Sequence, residues 1–318
     1  MTRTRVTPAH RRVAVAAALV GLFATLTACG PTVSAVDPPM AGAPPVLFDG
    51  AAGIYVDPDN PAAAWLQTAP SGTTAEVVRS AIAGKPAAVL IASPAVAVAT
   101  RAHAVVAAAT AANAIPVLLA DADQAGACPS GYSQWFSNLA NGLGQARALV
   151  VVRAGQRCAA MPSPAARARL LTDAVHTLAR ASHTTVLIDV TDAPSPAAAA
   201  DLAAGSDGAA LNIGRYAPDD VATANAQAIR RALIAKTGRT DYLTVIDSSR
   251  NGAAVSGDCN PPNARTGQNQ LLTSDRDQSQ QLWLTTPGIS DGPCGIAPAS
   301  QAGEFVPELA VALAQRPS

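Results

Sequence analysis

The chain has 318 residues, of which 49% are hydrophobic and only 3% aromatic, and its 22 basic side chains balance 22 acidic ones. Four of the bases, Arg3, Arg5, Arg11 and Arg12, stand in the opening segment, so the rest is mildly acidic, with 18 bases against 22 acids. Lys85 and Lys236 are its lysines, and no basic run follows the opening segment; this excludes the phosphate-neutralising footprint of a nucleic-acid binder, and no nucleic-acid partner is expected.

The first 28 residues read as an export signal. Arginines with no acid precede the apolar run from Val13 to Ala24, and Leu26-Thr27-Ala28 leads into Cys29. The run is too short to span a bilayer, which takes about 20 apolar residues. A cysteine directly after Leu-Thr-Ala resembles the bacterial lipobox, in which that thiol carries diacylglycerol and becomes the mature N-terminus. The plainer alternative is a secretory signal with an incidental cysteine. The lipobox reading places the protein outside the cytoplasm, at the cell membrane, with Cys29 as lipid attachment and the anchor as its whole membrane contact. Residues 29–48, with Pro31, Pro38, Pro39, Pro44 and Pro45 among small residues, read as an extended tether. Residues 49–318 then form one domain, expected to be monomeric, of a length that suits a single α/β barrel.

Short apolar runs follow in order: Ala88–Ala92, Ile115–Ala120, Ala148–Val152, Thr185–Asp189, Gly208–Asn212, Leu243–Asp247 and Gln281–Thr285. Nearly continuous apolar strands are buried on both faces, as in a parallel sheet covered by helices. Helical stretches such as Thr74–Ala83, Ala102–Ala112, Ala165–Ala181 and Asp219–Thr237 alternate with them. The alternation predicts an α/β fold, a seven-stranded parallel β/α barrel that is closed or nearly closed. Polar residues gather just past the strands: Asp121 and Asp123, Asp189 and Asp192, Asn212, Asp247 with Arg250 and Asn251, then Ser290 and Asp291. Chemistry in such barrels sits at the C-terminal strand ends, whereas any one of these residues taken alone reads as a turn or helix cap.

With Cys29 assigned to lipid, Cys128, Cys158, Cys259 and Cys294 remain, an even number for an oxidising compartment. Three pairings are possible; 128 with 158 and 259 with 294 is preferred, each bond contributing about 3–4 kcal/mol if unstrained. No Cys-x-x-Cys is present, and no metal or cofactor is expected. Gly288-Ile-Ser-Asp-Gly292 matches the nucleophile elbow, but the elbow needs a downstream histidine and the last one is His183. His103, His176 and His183 have no second ligand at metal spacing, and Gly142-Leu-Gly144 lacks the third glycine of a dinucleotide site.

Three ordered segments of the last third carry a resemblance. They are Val245-Ile-Asp-Ser-Ser-Arg-Asn-Gly252, Cys259-Asn-Pro-Pro262, and Leu282-Trp-Leu-Thr-Thr-Pro-Gly-Ile-Ser-Asp-Gly292 with Cys294; Ala302-Gly303-Glu304-Phe305 follows, and a weaker match reaches back to Ile54-Tyr55-Val56-Asp57-Pro58. They are similar to the Ile-Asp-Thr-Ser-Arg-Asn-Gly, Trp-Cys-Asn-Pro-Pro and Leu-Trp-Val-Lys-Pro-Pro-Gly-Glu-Ser-Asp-Gly runs of glycoside hydrolase family 6, the inverting cellulases and cellobiohydrolases. The resemblance implies a distorted seven-stranded barrel and a β-1,4-glucan or related cell-envelope glycan as partner. It also implies hydrolysis by a protonated carboxyl that donates to the leaving oxygen while water attacks from the opposite face.

Several of the implied groups are missing. The family's acid, the last residue of Glu-Pro-Asp, aligns with Gly155 in Arg153-Ala154-Gly155, and the supporting aspartate of Arg-Asp-Cys aligns with Ala127. The tyrosine under the cleaved sugar aligns with Asp121, the histidine after the fourth strand with Asp192, the sugar-gripping Lys and Glu with Thr285 and Ile289, and a subsite tryptophan with the neighbourhood of Leu90. Asp189, Asn212, Asp247, Arg250, Asn251, Asn260 and Trp283 are expected to frame the cleft, Asp247 with Arg250 as a buried ion pair, and Asp291 matches the family's candidate base. Trp65 and Trp283 offer little aromatic platform. Loss of a general acid costs about a hundred- to ten-thousand-fold in rate. The expectation is therefore a glycan-binding or scaffold pseudo-glycosidase. Its rival is an active inverting β-1,4-glucanase in which Asp123 or Asp192 has taken over proton donation, with Asp291 as base.

Overall fold

The computed structural model describes residues 53–68, 71–181, 183–269, 272 and 279–315. The export signal, Cys29 and the tether lie outside the described residues. Strands β1 (Gly53–Ile54) and β3 (Ala114–Ile115) pair in a small parallel sheet. The main sheet holds β2 (Val89–Ile91), β4 (Val117–Asp121), β5 (Ala148–Arg153), β6 (Thr184–Asp189), β7 (Gly208–Leu211), β8 (Leu243–Asp247) and β9 (Gln280–Leu282), all parallel and side by side in that order. Its edge strands approach each other through a 2.8 Å bond from Ala88 N to Trp283 O, so the sheet curls into a nearly closed barrel. Each of the seven predicted apolar runs overlaps one of these strands, the second run beginning at Ile115 in β3 and continuing past Pro116 as β4. The last, expected over Gln281–Thr285, is Gln280–Leu282, with Trp283 to Thr285 in the loop that follows.

Strand periodicity of two sets what fills the barrel. Val117 and Leu119, Leu149 and Val151, Leu187, Ala210, Val245 and Leu282 make the inner core, while their neighbours Leu118, Val150, Val186, Ile188, Ala209 and Ile246 pack outward under the helices. The same inner rows, extended by one step, bring Asp121, Arg153, Asp189, Asn212 and Asp247 to the C-terminal rim. Each strand thus stays apolar while buried and turns polar where the barrel opens.

The helices are α1 (Pro61–Thr68), α2 (Thr73–Val78) with a π-turn over Arg79–Ala83, α3 (Ala95–Ala111), α4 (Tyr132–Leu143), α5 (Pro164–Leu178), α6 (Pro196–Ala203), α7 (Asp219–Thr237) and α8 (Pro307–Ala314). Ser163 and Ser195 cap α5 and α6 by accepting from the backbone N–H three residues on, each followed by a proline at the first helical position. Gly238 ends α7 in the left-handed region at φ 75°. Gly142, rejected as part of a nucleotide site, has a packing role. A Cβ there would lie 2.4 Å from Ala99 O, so its absence lets α4 press against α3. The preferred disulfides are present, Cys128–Cys158 and Cys259–Cys294, with Cα separations of 5.6 and 5.9 Å. No helix among the described residues is long and apolar enough to cross a membrane.

Candidate functional site

A cleft of about 530 Å³ opens over the C-terminal rim. Its walls come from β2 (Leu90), the end of β5 (Arg153, Gln156, Arg157) and the loops after β6 to β9 (Asp192, Arg215, Arg250, Thr285, Asp291). Asp57, Asp59, Lys85 and Arg101 close one side. Leu90 is the inward residue of a three-residue strand at the barrel seam and is 45% exposed, a side chain aimed at the cleft rather than a core position.

On the β8–β9 side a buried network is built around Asp247 and Arg250. Asp247 is not the partner of Arg250, contrary to the sequence expectation. Its Oδ1 accepts from Ser249 N (2.9 Å) and Leu284 N (3.0 Å), and its Oδ2 from Gly214 N (2.9 Å) and Thr285 Oγ1 (3.0 Å), so it clamps the loops after β7, β8 and β9 together. The physical reason is geometric: as the last inward residue of β8, Asp247 meets three backbone turns that present N–H groups, whereas Arg250 lies three residues further on and reaches Asp291 at 2.6 Å. Arg250 is 2% exposed and also donates to Tyr216 Oη (2.9 Å) and to Ile289 O. Burial alone would lower its pKa, yet Tyr216, Asp291 and Asp247 together hold it above the ordinary guanidinium value. Burial likewise pushes the Tyr216 phenol up, reinforced by its hydrogen bond to Asp291.

Asp291 lines the cleft with its side chain 22% exposed. Oδ1 takes Arg250; Oδ2 takes Tyr216 Oη (2.7 Å) and Asn260 N (3.0 Å). Asn260 returns the contact, accepting from Asp291 N at 3.0 Å, and holds Gly292 O at 2.9 Å, with the Cys259–Cys294 disulfide alongside. Ser290, the serine of the elbow-like motif, is 3% exposed and bonded to Asn260 and Ser300, an internal bridge with no nucleophile's access. Asn212, at φ 63°, turns the chain after β7 and donates to Asp247 O at 3.0 Å. Asn251 is 1% exposed and its amide makes no hydrogen bond among the described residues. Trp283 is 5% exposed and packs against Ala62, Val78, Ile82 and Ala310, outside the cleft; it belongs to the frame because its strand end faces α2 and α8.

The β4–β5 side is different. Asp121 and Asp189 are fully buried, and between them Arg153 donates Nε to Asp189 at 2.8 Å and lies 3.5 Å from Asp121. Arg157 also binds Asp121 Oδ2. Burial acts against the Arg153 charge, but Asp189 and then Asp121 outweigh it and its pKa stands above the ordinary value. Asp123 points at the Gly155 loop. Its Oδ1 accepts from Gly155 N (2.8 Å) and Tyr132 Oη (2.6 Å), and its Oδ2 from Arg157 N (2.8 Å). Burial would raise its pKa, yet the bonds from Tyr132, Arg157 and Gly155 prevail and hold it below the usual carboxylate range. Asp123 does not line the cleft; Asp192 does, 53% exposed and paired with Arg215 at 2.8 Å. Gly155 sits at φ 70°, and a Cβ there would approach Met161 Cε at 3.0 Å and Arg167 Cγ at 3.1 Å, toward α5.

Of the residues singled out from sequence, Leu90, Asp192, Arg250, Thr285, Ile289, Ser290 and Asp291 line the cleft, and Asp189, Asn212, Asp247, Asn251 and Asn260 lie behind it. Sequence reasoning missed Arg153, Arg157, Arg215 and Tyr216. The signal for Arg153 was present, since it is the first polar residue after an apolar strand, as Asp121 and Asp189 are.

Comparison with known proteins agrees with this geometry. The model of "Glycosyl hydrolases family 6" matches residues 121–317. Endoglucanase 1 of Streptomyces halstedii is 32% identical over 314 residues, covering 91% of this chain and 96% of the relative. Endoglucanase A of Thermobispora bispora is 30% identical, covering 95% of this chain and 68% of that protein. Among solved structures, an endoglucanase from Mycobacterium tuberculosis in complex with methyl-cellobiosyl-4-deoxy-4-thio-β-D-cellobioside superposes with a TM-score of 0.67 at 27% identity, over 83% of this chain and 97% of that one.

Proposed function

The chain belongs to glycosyl hydrolase family 6, and from that premise we propose that it is an exported, lipid-anchored, monomeric member whose cleft binds a β-glucan or cell-envelope glycan without cleaving it. The observation that carries the reading lies at the end of β5. An inverting glycosidase needs a carboxyl group there that keeps its proton near neutral pH. Gly155 has none, and its backbone would direct a side chain toward α5. The carboxyl group that does reach this loop, Asp123, is surrounded by three donors and held in its ionised form. That environment is the reverse of what a proton donor requires.

Asp291, the proposed family base, has both oxygens engaged by Arg250, Tyr216 and Asn260, which suits an orienting acceptor for a sugar hydroxyl. Two disulfides support an oxidising destination, and the lipobox at Cys29 supports the anchor. The second reading, an inverting β-1,4-glucanase with Asp192 as acid and Asp291 as base, is favoured by the relatives that are named endoglucanases and by the place of both carboxylates on the cleft wall.

Reducing-sugar release from soluble β-1,4-glucans, measured beside an Asp291→Ala control, separates the two. We expect no release above the control, together with measurable retention of the protein on a glycan array. Turnover that disappears in the Asp291→Ala protein would establish the glucanase instead.

A further inference from the structure

The cleft is unlike a groove made for uncharged sugar rings. Among the described residues that line it none is aromatic, so the flat apolar faces on which pyranose rings stack are missing. Cationic side chains with unspent hydrogen bonds stand there instead. Arg157 is 54% exposed and commits one nitrogen, Nη2, to Asp121, leaving Nε and Nη1 without partners among the described residues. Arg153 commits Nε and Nη1 and keeps Nη2. Because both guanidinium groups address the same oxygen, Asp121 Oδ2, they lie side by side on the floor of the cleft. Lys85, exposed in the cleft lining ahead of β2, has no side-chain partner among the described residues.

The carboxylates behave in the opposite way. Asp121 gives Oδ1 to Gln124 N and Oδ2 to the two arginines, and Asp189 gives Oδ1 to Thr191 N and Oδ2 to Arg153. Both are turned away from solvent. Asp291 spends both oxygens on Arg250, Tyr216 and Asn260. Asp192 is matched by Arg215, and Asp59, exposed on the rim, is an opposing charge with no ion pair among the described residues. Around β4 and β5 negative charge is therefore consumed inside the protein while N–H donors are left facing the cleft.

The pair is also held in place. Arg157 precedes Cys158 of the Cys128–Cys158 disulfide, and its own backbone N–H is fixed on Asp123 at 2.8 Å. A guanidinium held this way loses little freedom on meeting an oxyanion, and the N–H groups that Arg153 and Arg157 keep can each donate a charge-assisted bond to a carboxylate or phosphate. Resting on the glycan-binding reading above, we infer that Arg153 and Arg157 form an oxyanion subsite, and that the glycan bound over β5 bears a carboxylate or phosphate on the sugar it places there.

Calorimetric titration of the full chain tests this with three probes: cellotetraose, the tetramer of β-1,4-glucuronate, and glucose 6-phosphate. The expected result is binding of the glucuronate tetramer at least about tenfold tighter than cellotetraose, with the advantage shrinking as salt is raised. Arg157→Gln brings the ratio close to one, and Arg157→Lys, which keeps the charge and loses the planar set of donors, falls between. Tighter binding of glucose 6-phosphate than of the glucuronate tetramer would assign the oxyanion to a phosphate and leaves the subsite standing. Equal or tighter binding of cellotetraose, a ratio unmoved by Arg157→Gln in a protein with unchanged melting temperature, or no binding of any probe would overturn the inference. Mass spectrometry of the titrated oligosaccharides keeps the underlying reading separate: cleavage products would refute the non-hydrolytic assignment, while the ratio of charged to neutral affinity would still decide the subsite.

Discussion

The two halves of the rim use the same parts and reach opposite results. Each has a disulfide joining the loops after neighbouring strands, a buried aspartate at a strand end and an arginine reaching across. On the β8–β9 half the arginine is the hidden member, 2% exposed, and it presents a carboxylate, Asp291, to the cleft. On the β4–β5 half the carboxylates are hidden, and the arginines face outward, with Arg157 54% exposed. The polarity of a cleft is thus set by which partner of an ion pair is buried, and here the two halves have been wired in opposite senses.

The strongest way to break the comparison is to remove its buried cation. Arg250→Ala strands Asp291 and leaves a void beside Tyr216, and we expect a loss of about 3–5 kcal/mol in urea denaturation. If the loss is under 1 kcal/mol, the half is not organised around that side chain.

Next in size is Asp123→Asn, which weakens an acceptor serving Tyr132, Gly155 and Arg157 and should cost about 1–3 kcal/mol at pH 7. Its pH behaviour adds a sign. A carboxyl group whose folded pKa is depressed stabilises fully above its unfolded pKa of about 3.9, and that stability is lost as pH falls through the lower folded value. The substituted protein should therefore show a shallower acid limb than the parent, and a steeper one would contradict the assignment.

Gly155→Asp sharpens the functional side. It would cost about 1–2 kcal/mol because φ is 70°, and we expect no gain in reducing-sugar release, since the backbone directs the new carboxyl toward Met161 and Arg167. A gain of a hundredfold would mean that a proton donor was all the cleft lacked. The smallest effect belongs to Asp192→Asn: its pair with Arg215 is about half exposed on both sides, so thermal unfolding should move by less than about 1 kcal/mol.

The barrel was legible because its signal is repetitive. Seven apolar runs on one chain leave few alternatives, and α7 begins and ends where the sequence predicts, at Asp219 and Thr237. The site was less legible because an ion pair is a matter of direction, which sequence spacing does not carry. Asp247 and Arg250 are three residues apart in sequence, yet the strand ends in between and each turns to a different partner. The glycine at 155 was visible in the sequence, but the direction of its missing side chain and the approach of Asp123 from the neighbouring loop depend on how β4 and β5 lie together. Trp283, read as part of the cleft frame, proved to pack behind it for the same reason.

The bond from Ala88 to Trp283 has a topological consequence. It is the backbone link between the edge strands among the described residues, and Leu90 and Thr285, one on each lip of that seam, both face the cleft. The cleft wall is thus continuous across the seam: its lining passes from β2 to the loop after β9 without the ladder of strand pairs that carries it elsewhere around the rim.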